Sequence, residues 1–200
     1  MKKSLKIKRL VGIAILLALV VVLQFMSNYI QFSISITLAL TPVVIGAILY
    51  GPFVGCFLGA VQGLIIFFAP STIAGFWPVT VPGTLLVCVL KTAVAGLVSG
   101  YIFKAVYKKN LKLSVILSSI VVPIVNTGLF VIAASTMFAS VYSPGALEAG
   151  QGVLLFILGT IIVNFVIEFA VNSLLSPTVL YLVKIATKNY NLGSNLDINE

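Results

Sequence analysis

Long apolar runs, separated by short polar or Gly- and Pro-containing links, organise this 200-residue chain. Several runs approach the roughly 20 residues that an α-helix needs to cross a bilayer. A membrane β-barrel would show short alternating segments instead. The pattern predicts an all-α integral membrane protein, a compact bundle of six transmembrane helices. The first is expected at about Leu10–Asn28, the second ends at about Tyr50, and the third begins at about Pro52. The last three are expected at about Thr84–Phe103, Leu113–Phe138 and Gly152–Lys184.

The links between the predicted helices differ in composition. Gly51-Pro52 predicts a tight turn between the second and third helices. The polar–apolar alternation of Gln31–Ile36 predicts an extended segment. Prolines and glycines within Ala69–Thr84 predict the longest non-helical stretch, and Ser140–Gly150 predicts a further loop. We expect both loops to be external and structured.

Two helices contain internal proline. Pro123, followed by Asn126, predicts an interruption midway along the fifth helix, with a carbonyl and a carboxamide that need partners or remain available to a ligand. The last helix is longer than a bilayer requires, so it must tilt, protrude or break near Pro177.

The last helix also carries a row of polar residues at every fourth position. Four residues turn through about 400°, so such groups lie almost above one another. Thr and Ser in this row are compatible with simple interhelical packing. A carboxylate on a lipid-embedded helix indicates a functional site, because burying a charge in lipid is costly. The row consists of Thr160, Asn164, Glu168, Asn172 and Ser176.

A buried cation, a carboxamide and an aromatic residue complete the candidate binding residues. Lys91 is the one basic residue within an apolar run, and its ammonium either reaches the outer headgroups or faces inward towards Glu168 or an anionic ligand. Gln62 lies beside a row of glycines on the third helix. Trp77 is either an interfacial anchor or part of a lid over a pocket. We predict Lys91, Asn126, Asn164, Glu168, Trp77 and Gln62 as substrate-binding residues.

Charge distribution predicts the orientation. The chain is 60% hydrophobic and 8% charged, with a formal net charge of +8. Cytoplasmic loops of membrane proteins are enriched in Lys and Arg. The basic residues cluster before the first apolar run, between the fourth and fifth runs, and after the last. This distribution predicts cytoplasmic termini and argues against nucleic acid as the partner. We expect one domain over residues 1–188 in the plasma membrane, and a disordered polar tail over 189–200.

The residue inventory also limits the chemistry. Histidine is absent, and both cysteines, Cys56 and Cys88, lie in apolar runs. These residues supply no metal cluster or disulfide framework. No nucleophile is paired with a base, so we predict no enzymatic activity, no cofactor and no metal.

The small residues Ala14 and Ala18, separated by three positions, suit close approach of another helix. Together with Ile48-Leu49-Tyr50-Gly51-Pro52 and Asn126-Thr127-Gly128, in this order and within this topology, they carry a resemblance. The chain resembles the membrane-embedded S components of energy-coupling-factor (ECF) vitamin transporters over essentially its whole length up to Lys188.

The resemblance implies that the chain captures a water-soluble vitamin from outside. It implies a transmembrane T subunit, docked on the Ala14–Ala18 face, and two cytoplasmic ATPase subunits that use the ATP. This chain has no phosphate-binding Gly-rich loop of its own. A buried cation beside several amides favours pantothenate, and Phe76, Trp77 and Tyr142 as stacking surfaces make riboflavin the next candidate.

Other classes of function compete with this one. A stand-alone proton-coupled secondary transporter would use Glu168 to carry a proton, although no inverted repeat relates the two halves. A purely structural assembly subunit would show no stabilisation by any ligand.

Overall fold

The computed structural model describes residues 2–29 and 39–190, with the side chains of residues 6–28 and 39–185. The predicted tail 189–200 lies outside these ranges, except for residues 189 and 190, which are helical and not disordered as predicted. The predicted extended segment Gln31–Ile36 lies wholly outside these ranges. Within them the elements are α-helices in the order α1 Lys2–Tyr29, α2 Leu40–Tyr50, α3 Pro52–Phe67, α4 Pro70–Phe76, α5 Val81–Tyr107, α6 Leu111–Thr136, α7 Ala139–Glu148 and α8 Val153–Tyr190.

The turn between α2 and α3 is as tight as the sequence predicts. Gly51 has a φ of 102°, a backbone conformation that side chains disfavour, and its N–H donates to the Ala47 carbonyl at 3.1 Å. Pro52 then occupies the first turn of α3, where a missing N–H costs nothing. The two helices form a close hairpin.

Glycines hold α3 directly against α5. A Cβ added to Gly55 would lie 2.6 Å from the Gly96 carbonyl oxygen, and one on Gly59 would collide with the Thr92 carbonyl. Gly63 lies equally close to the same helix. The predicted glycine row is therefore a contact between two backbones, which only residues without a side chain permit.

The short helix α2 lies at the centre of the bundle. Leu40, Val44 and Ile48 are almost completely buried, and α2 packs against α1, α3, α5, α6 and α8. A cluster of Leu16, Val20, Val43 and Leu58 joins α1 and α3 to it. Most of the remaining helices surround α2, and their outward faces carry many exposed large apolar side chains.

The predicted non-helical stretch Ala69–Thr84 is wrong in part, because its prolines begin helices. Pro70 starts α4, and Pro82 lies in the first turn of α5. Thr80 caps α5, since its hydroxyl accepts the Gly83 N–H at 3.3 Å. Proline fits this position because its fixed φ is already helical and its absent N–H would have no partner there.

The predicted interruption of the fifth helix is also wrong, because α6 runs unbroken past Pro123. Transmembrane helices tolerate proline where neighbouring groups satisfy the freed backbone. The carbonyl that Pro123 leaves without its helical donor is that of Ser119. One residue before it, the Ser99 hydroxyl of α5 donates to the Ser118 carbonyl at 3.0 Å, which ties α6 to α5 at this point. The predicted loop Ser140–Gly150 is likewise mostly the helix α7, which packs against α8.

The last helix does not break at Pro177. α8 continues to Tyr190, past the predicted end at Lys184, and its 38 residues span about 57 Å at 1.5 Å per residue. Tilting or protrusion is therefore the way in which it accommodates a bilayer whose apolar core is about 30 Å thick.

Length and composition support membrane crossing for four of the eight described helices by themselves. Within the described ranges, four segments are long and apolar enough to cross: Lys6–Asn28, Val81–Tyr107, Leu111–Thr136 and Val153–Ile185. α3 and α4 qualify only as a pair bent by 69°, which gives up to five, and α2 is shorter. An all-helical multi-pass membrane protein is confirmed, whereas six crossings and cytoplasmic termini stay predictions.

We predict that Gly59→Ala lowers the free energy of unfolding by about 1–3 kcal/mol, because the new methyl meets a backbone carbonyl that cannot rotate away. Thermal unfolding of the purified protein in detergent measures the change. Gly159→Ala is the matched control: on α8, no described atom lies within 4 Å of the added Cβ. Its higher helix propensity should make it neutral or stabilising by up to about 1 kcal/mol. Equal effects of both substitutions would contradict the backbone contact.

Candidate functional site

A cavity of about 500 Å³ lies between the helices at the end of the bundle that carries α4 and α7, opposite the lysine-rich α5–α6 turn. This volume is within the range of about 300–1,000 Å³ that small-molecule sites occupy. Its polar walls come from α1, α4, α5, α6, α7 and α8: Gln24, Ser27, Asn28, Ser71, Thr72, Thr84, Lys91, Asn126, Thr127, Tyr142, Thr160, Asn164 and Glu168.

Lys91 faces this cavity. Its Nζ lies 4.6 Å from the centroid of the Phe130 ring on α6, and both residues line the cavity. A cation over an aromatic face is stabilised by about 0.5–2 kcal/mol, depending on how far it is desolvated. Of the two orientations that the sequence allows, the structure therefore has the inward one, with the ammonium inside the bundle.

The polar row of α8 divides into two parts. Thr160, Asn164 and Glu168 line the cavity, and the Glu168 side chain is buried. One turn further, Asn172 is buried and its Nδ2 donates to the Glu168 backbone carbonyl at 2.9 Å. The Ser176 hydroxyl donates to the Ser173 carbonyl at 2.8 Å. The three residues nearer α7 thus line the cavity, whereas Asn172 and Ser176 lie outside its lining and bond to the backbone of their own helix.

Asn126 presents an unsatisfied acceptor. Its side chain is 7% exposed and lines the cavity, and its Oδ1 has no hydrogen-bond partner among the described residues. A buried polar atom without a partner costs about 1–3 kcal/mol. Such an atom at a cavity wall is a place for an O–H or N–H donor of a bound molecule.

Aromatic rings cover one side of the cavity. Phe76 of α4 packs edge-to-face on Phe130 and Phe138, with ring centroids 5.9 and 4.9 Å apart, and it lies 6.5 Å from Tyr142. Burial raises the pKa of the Tyr142 phenol above its usual range. The site therefore offers stacking surfaces beside its polar groups.

One wall of the cavity comes from α1, where no binding residue was predicted from the sequence. Gln24, Ser27 and Asn28 all line the cavity. Their spacing of three and four residues places them on one helical face, a signal present in the sequence. The same residues also mark the polar end of an apolar run, so their presence there does not by itself indicate a binding site.

Two predicted site residues lie outside the cavity lining. The Trp77 indole N–H donates to the Phe67 carbonyl at 3.3 Å, and its ring lies 4.9 Å from the Phe67 ring. Trp77 thus packs α4 back on the end of α3. Gln62 is completely buried behind α1, where its Nε2 donates to Gln24 Oε1 at 3.1 Å. Lys91, Asn126, Asn164 and Glu168 are brought together, and their role in binding stays a prediction.

The opposite face of α1 is uncovered within the described chain. Ala14 and Ala18 are exposed, together with large apolar neighbours such as Ile15, Val22 and Phe25. The buried face of the same helix contains Leu16, Val20 and Gln24. One helix therefore contributes to the cavity on one side and presents small residues on the other.

These features define a class: a helical, multi-pass membrane protein with an internal solute-sized cavity of mixed polarity. The family model described as "ECF transporter, substrate-specific component" matches residues 8–180, and the chain therefore belongs to this family. Its members are the substrate-binding subunits of transporters that also contain T and ATPase subunits. Neither the curated proteins nor the solved structures gave a significant match.

We predict that Asn126→Leu leaves the ligand-free protein as stable as wild type or more stable by about 1 kcal/mol, because it removes the unsatisfied acceptor. The same change should abolish stabilisation by a bound ligand. Thermal-shift assays with and without ligand measure both effects. Asn172→Leu is the control, since its amide has a partner, and it should lower the stability of the empty protein. If Asn126→Leu destabilises the protein as strongly as Asn172→Leu, Asn126 is a structural residue.

Proposed function

We propose that this subunit captures a water-soluble vitamin from outside the cell, with pantothenate favoured and riboflavin next, for ATP-driven import. The observation that carries the proposal is the cavity, where the Lys91 ammonium and the unsatisfied Asn126 Oδ1 lie among apolar and aromatic walls. A ligand for this site needs an anionic or acceptor group, a hydroxyl or amide donor, and apolar surface.

Pantothenate has each of these groups. Its carboxylate complements Lys91, and its hydroxyl and amide groups complement Asn126 and Asn164, which offer both donors and acceptors. Glu168 either balances Lys91 in the empty site or accepts ligand hydroxyls. The aromatic side formed by Phe76 and its neighbours suits the flat ring of riboflavin and keeps that vitamin as the second candidate.

We predict that Lys91→Met weakens binding of an anionic ligand at least tenfold, which corresponds to roughly 1.4 kcal/mol. A neutral ligand should be affected much less. Asn164→Leu should weaken any ligand, because it removes a donor and an acceptor together. Calorimetric titration of the purified protein with pantothenate and riboflavin measures both. Near-wild-type affinity in both variants would show that the ligand does not bind in this cavity.

Transport depends on a second surface, which we assign to the exposed Ala14–Ala18 face of α1. We predict that Ala14→Trp or Ala18→Trp leaves vitamin binding intact and abolishes uptake, because the added bulk prevents close approach of the T subunit. Uptake by cells expressing the complete transporter, compared with binding by the isolated subunit, separates the two. Loss of binding in these variants would show that the pair packs within the subunit. Uptake that persists without any ATPase subunit would instead indicate a proton-coupled carrier.

A further inference from the structure

Gln62 is a buried amide whose contacts lead to the cavity without reaching it directly. It lies on α3 beside the glycines that contact α5, and its side chain is 0% exposed. Its Nε2 donates to Gln24 Oε1 at 3.1 Å, and its own Oε1 has no partner among the described residues. A glutamine at this position costs more free energy than an apolar side chain of similar size, so packing alone does not account for it.

The hydrogen bonds continue from Gln24 into the cavity wall. Gln24 Nε2 donates to Asn28 Oδ1 at 2.9 Å, and Asn28 Nδ2 lies 3.5 Å from the Ile65 carbonyl oxygen. Gln24 and Asn28 line the cavity, whereas Gln62 does not. The three amides therefore form one directed chain, in which an oxygen accepts and a nitrogen donates at each successive step.

The direction of the chain fixes which atoms the cavity wall presents. Gln24 Oε1 accepts from Gln62, so its nitrogen is turned towards Asn28. Asn28 Oδ1 accepts the hydrogen bond from Gln24. The Asn28 Nδ2 has two hydrogens, and the contact with the Ile65 carbonyl can occupy one of them. The α1 wall is thus set as a donor of N–H groups, in contrast to the acceptor that Asn126 presents from α6.

We propose that Gln62 is a positioning residue for ligand recognition, which acts through Gln24 to hold the α1 wall as an N–H donor for a carboxylate or carbonyl oxygen of the ligand. This inference rests on the proposed function of the cavity. It adds a residue outside the cavity that, together with the Ile65 carbonyl at the other end of the chain, holds the polarity of one wall and thereby the end of the ligand that lies there.

If the role of Gln62 is purely structural, its hydrogen bond only joins α3 to α1 and does not affect ligand recognition. Both roles predict a lower thermal stability for Gln62→Leu, because Gln24 loses its donor, so stability alone does not distinguish them. The distinguishing quantity is the coupling between positions 24 and 62 in ligand affinity, which a double-mutant cycle isolates.

The experiment compares wild type, Gln62→Leu, Gln24→Leu and the double variant by calorimetric titration with pantothenate and riboflavin. We expect each single variant to weaken binding about tenfold, the size typical of one lost hydrogen bond with its unsatisfied partner. The double variant should bind no more weakly than Gln24→Leu, because Gln62 acts through Gln24.

Ser99→Ala is the matched control. The Ser99 hydroxyl is buried and donates to the Ser118 carbonyl, at a site outside the cavity lining. This variant should lower the unfolding temperature and leave affinity unchanged. The comparison shows whether loss of stability by itself weakens binding.

Wild-type affinity in Gln62→Leu, or independent and additive effects at positions 24 and 62, would overturn the positioning role. If Lys91→Met still weakens binding in that case, the proposed function stands and only this inference fails. If the wild-type protein binds neither vitamin, the proposed function fails and this inference fails with it.

Discussion

The contact between the backbones of α3 and α5 is the constraint on which the rest of the bundle depends. Gly55, Gly59 and Gly63 bring the two helices so close that a single methyl group would meet a carbonyl oxygen. This contact fixes the rotation of α5 about its axis and therefore directs Lys91 into the cavity. In lipid, where no hydrophobic force drives helices together, such close packing is a principal source of association.

The same contact also fixes α3, and α1 is held against α3 in turn. Arg9 donates to the Tyr50 carbonyl at 2.9 Å near one end of α1, Leu16 and Val20 pack in its middle, and Gln24 bonds to Gln62 near the other end. α1 is thus attached along one face, and its opposite face is uncovered within the described residues. The cavity wall and the exposed Ala14–Ala18 face belong to one helix.

Proline shows why local rules were incomplete. From the sequence alone, Pro70, Pro82 and Pro123 are expected to interrupt helices, because proline lacks an N–H and restricts its own φ. Two of them begin helices, where both properties are favourable, and the third lies within α6 without breaking it. Whether proline starts, bends or ends a helix depends on its position relative to a helix end and on neighbouring donors, which a composition pattern does not contain.

The sequence by itself determined the membrane environment, the helical class and the inward direction of the polar groups. Hydrocarbon excludes unpaired charges and amides, so Asn126, Asn164 and Glu168 had to face the interior wherever the helices were placed. Lys91 could equally have reached the headgroups, and only the structure directs it inward. Only the tertiary structure decided which interior polar groups meet. Gln24 lines the cavity and Gln62 lies behind it, because the glycine contact sets the rotation of α3 about its axis. That rotation depends on how two helices pack together, which one helix alone does not determine.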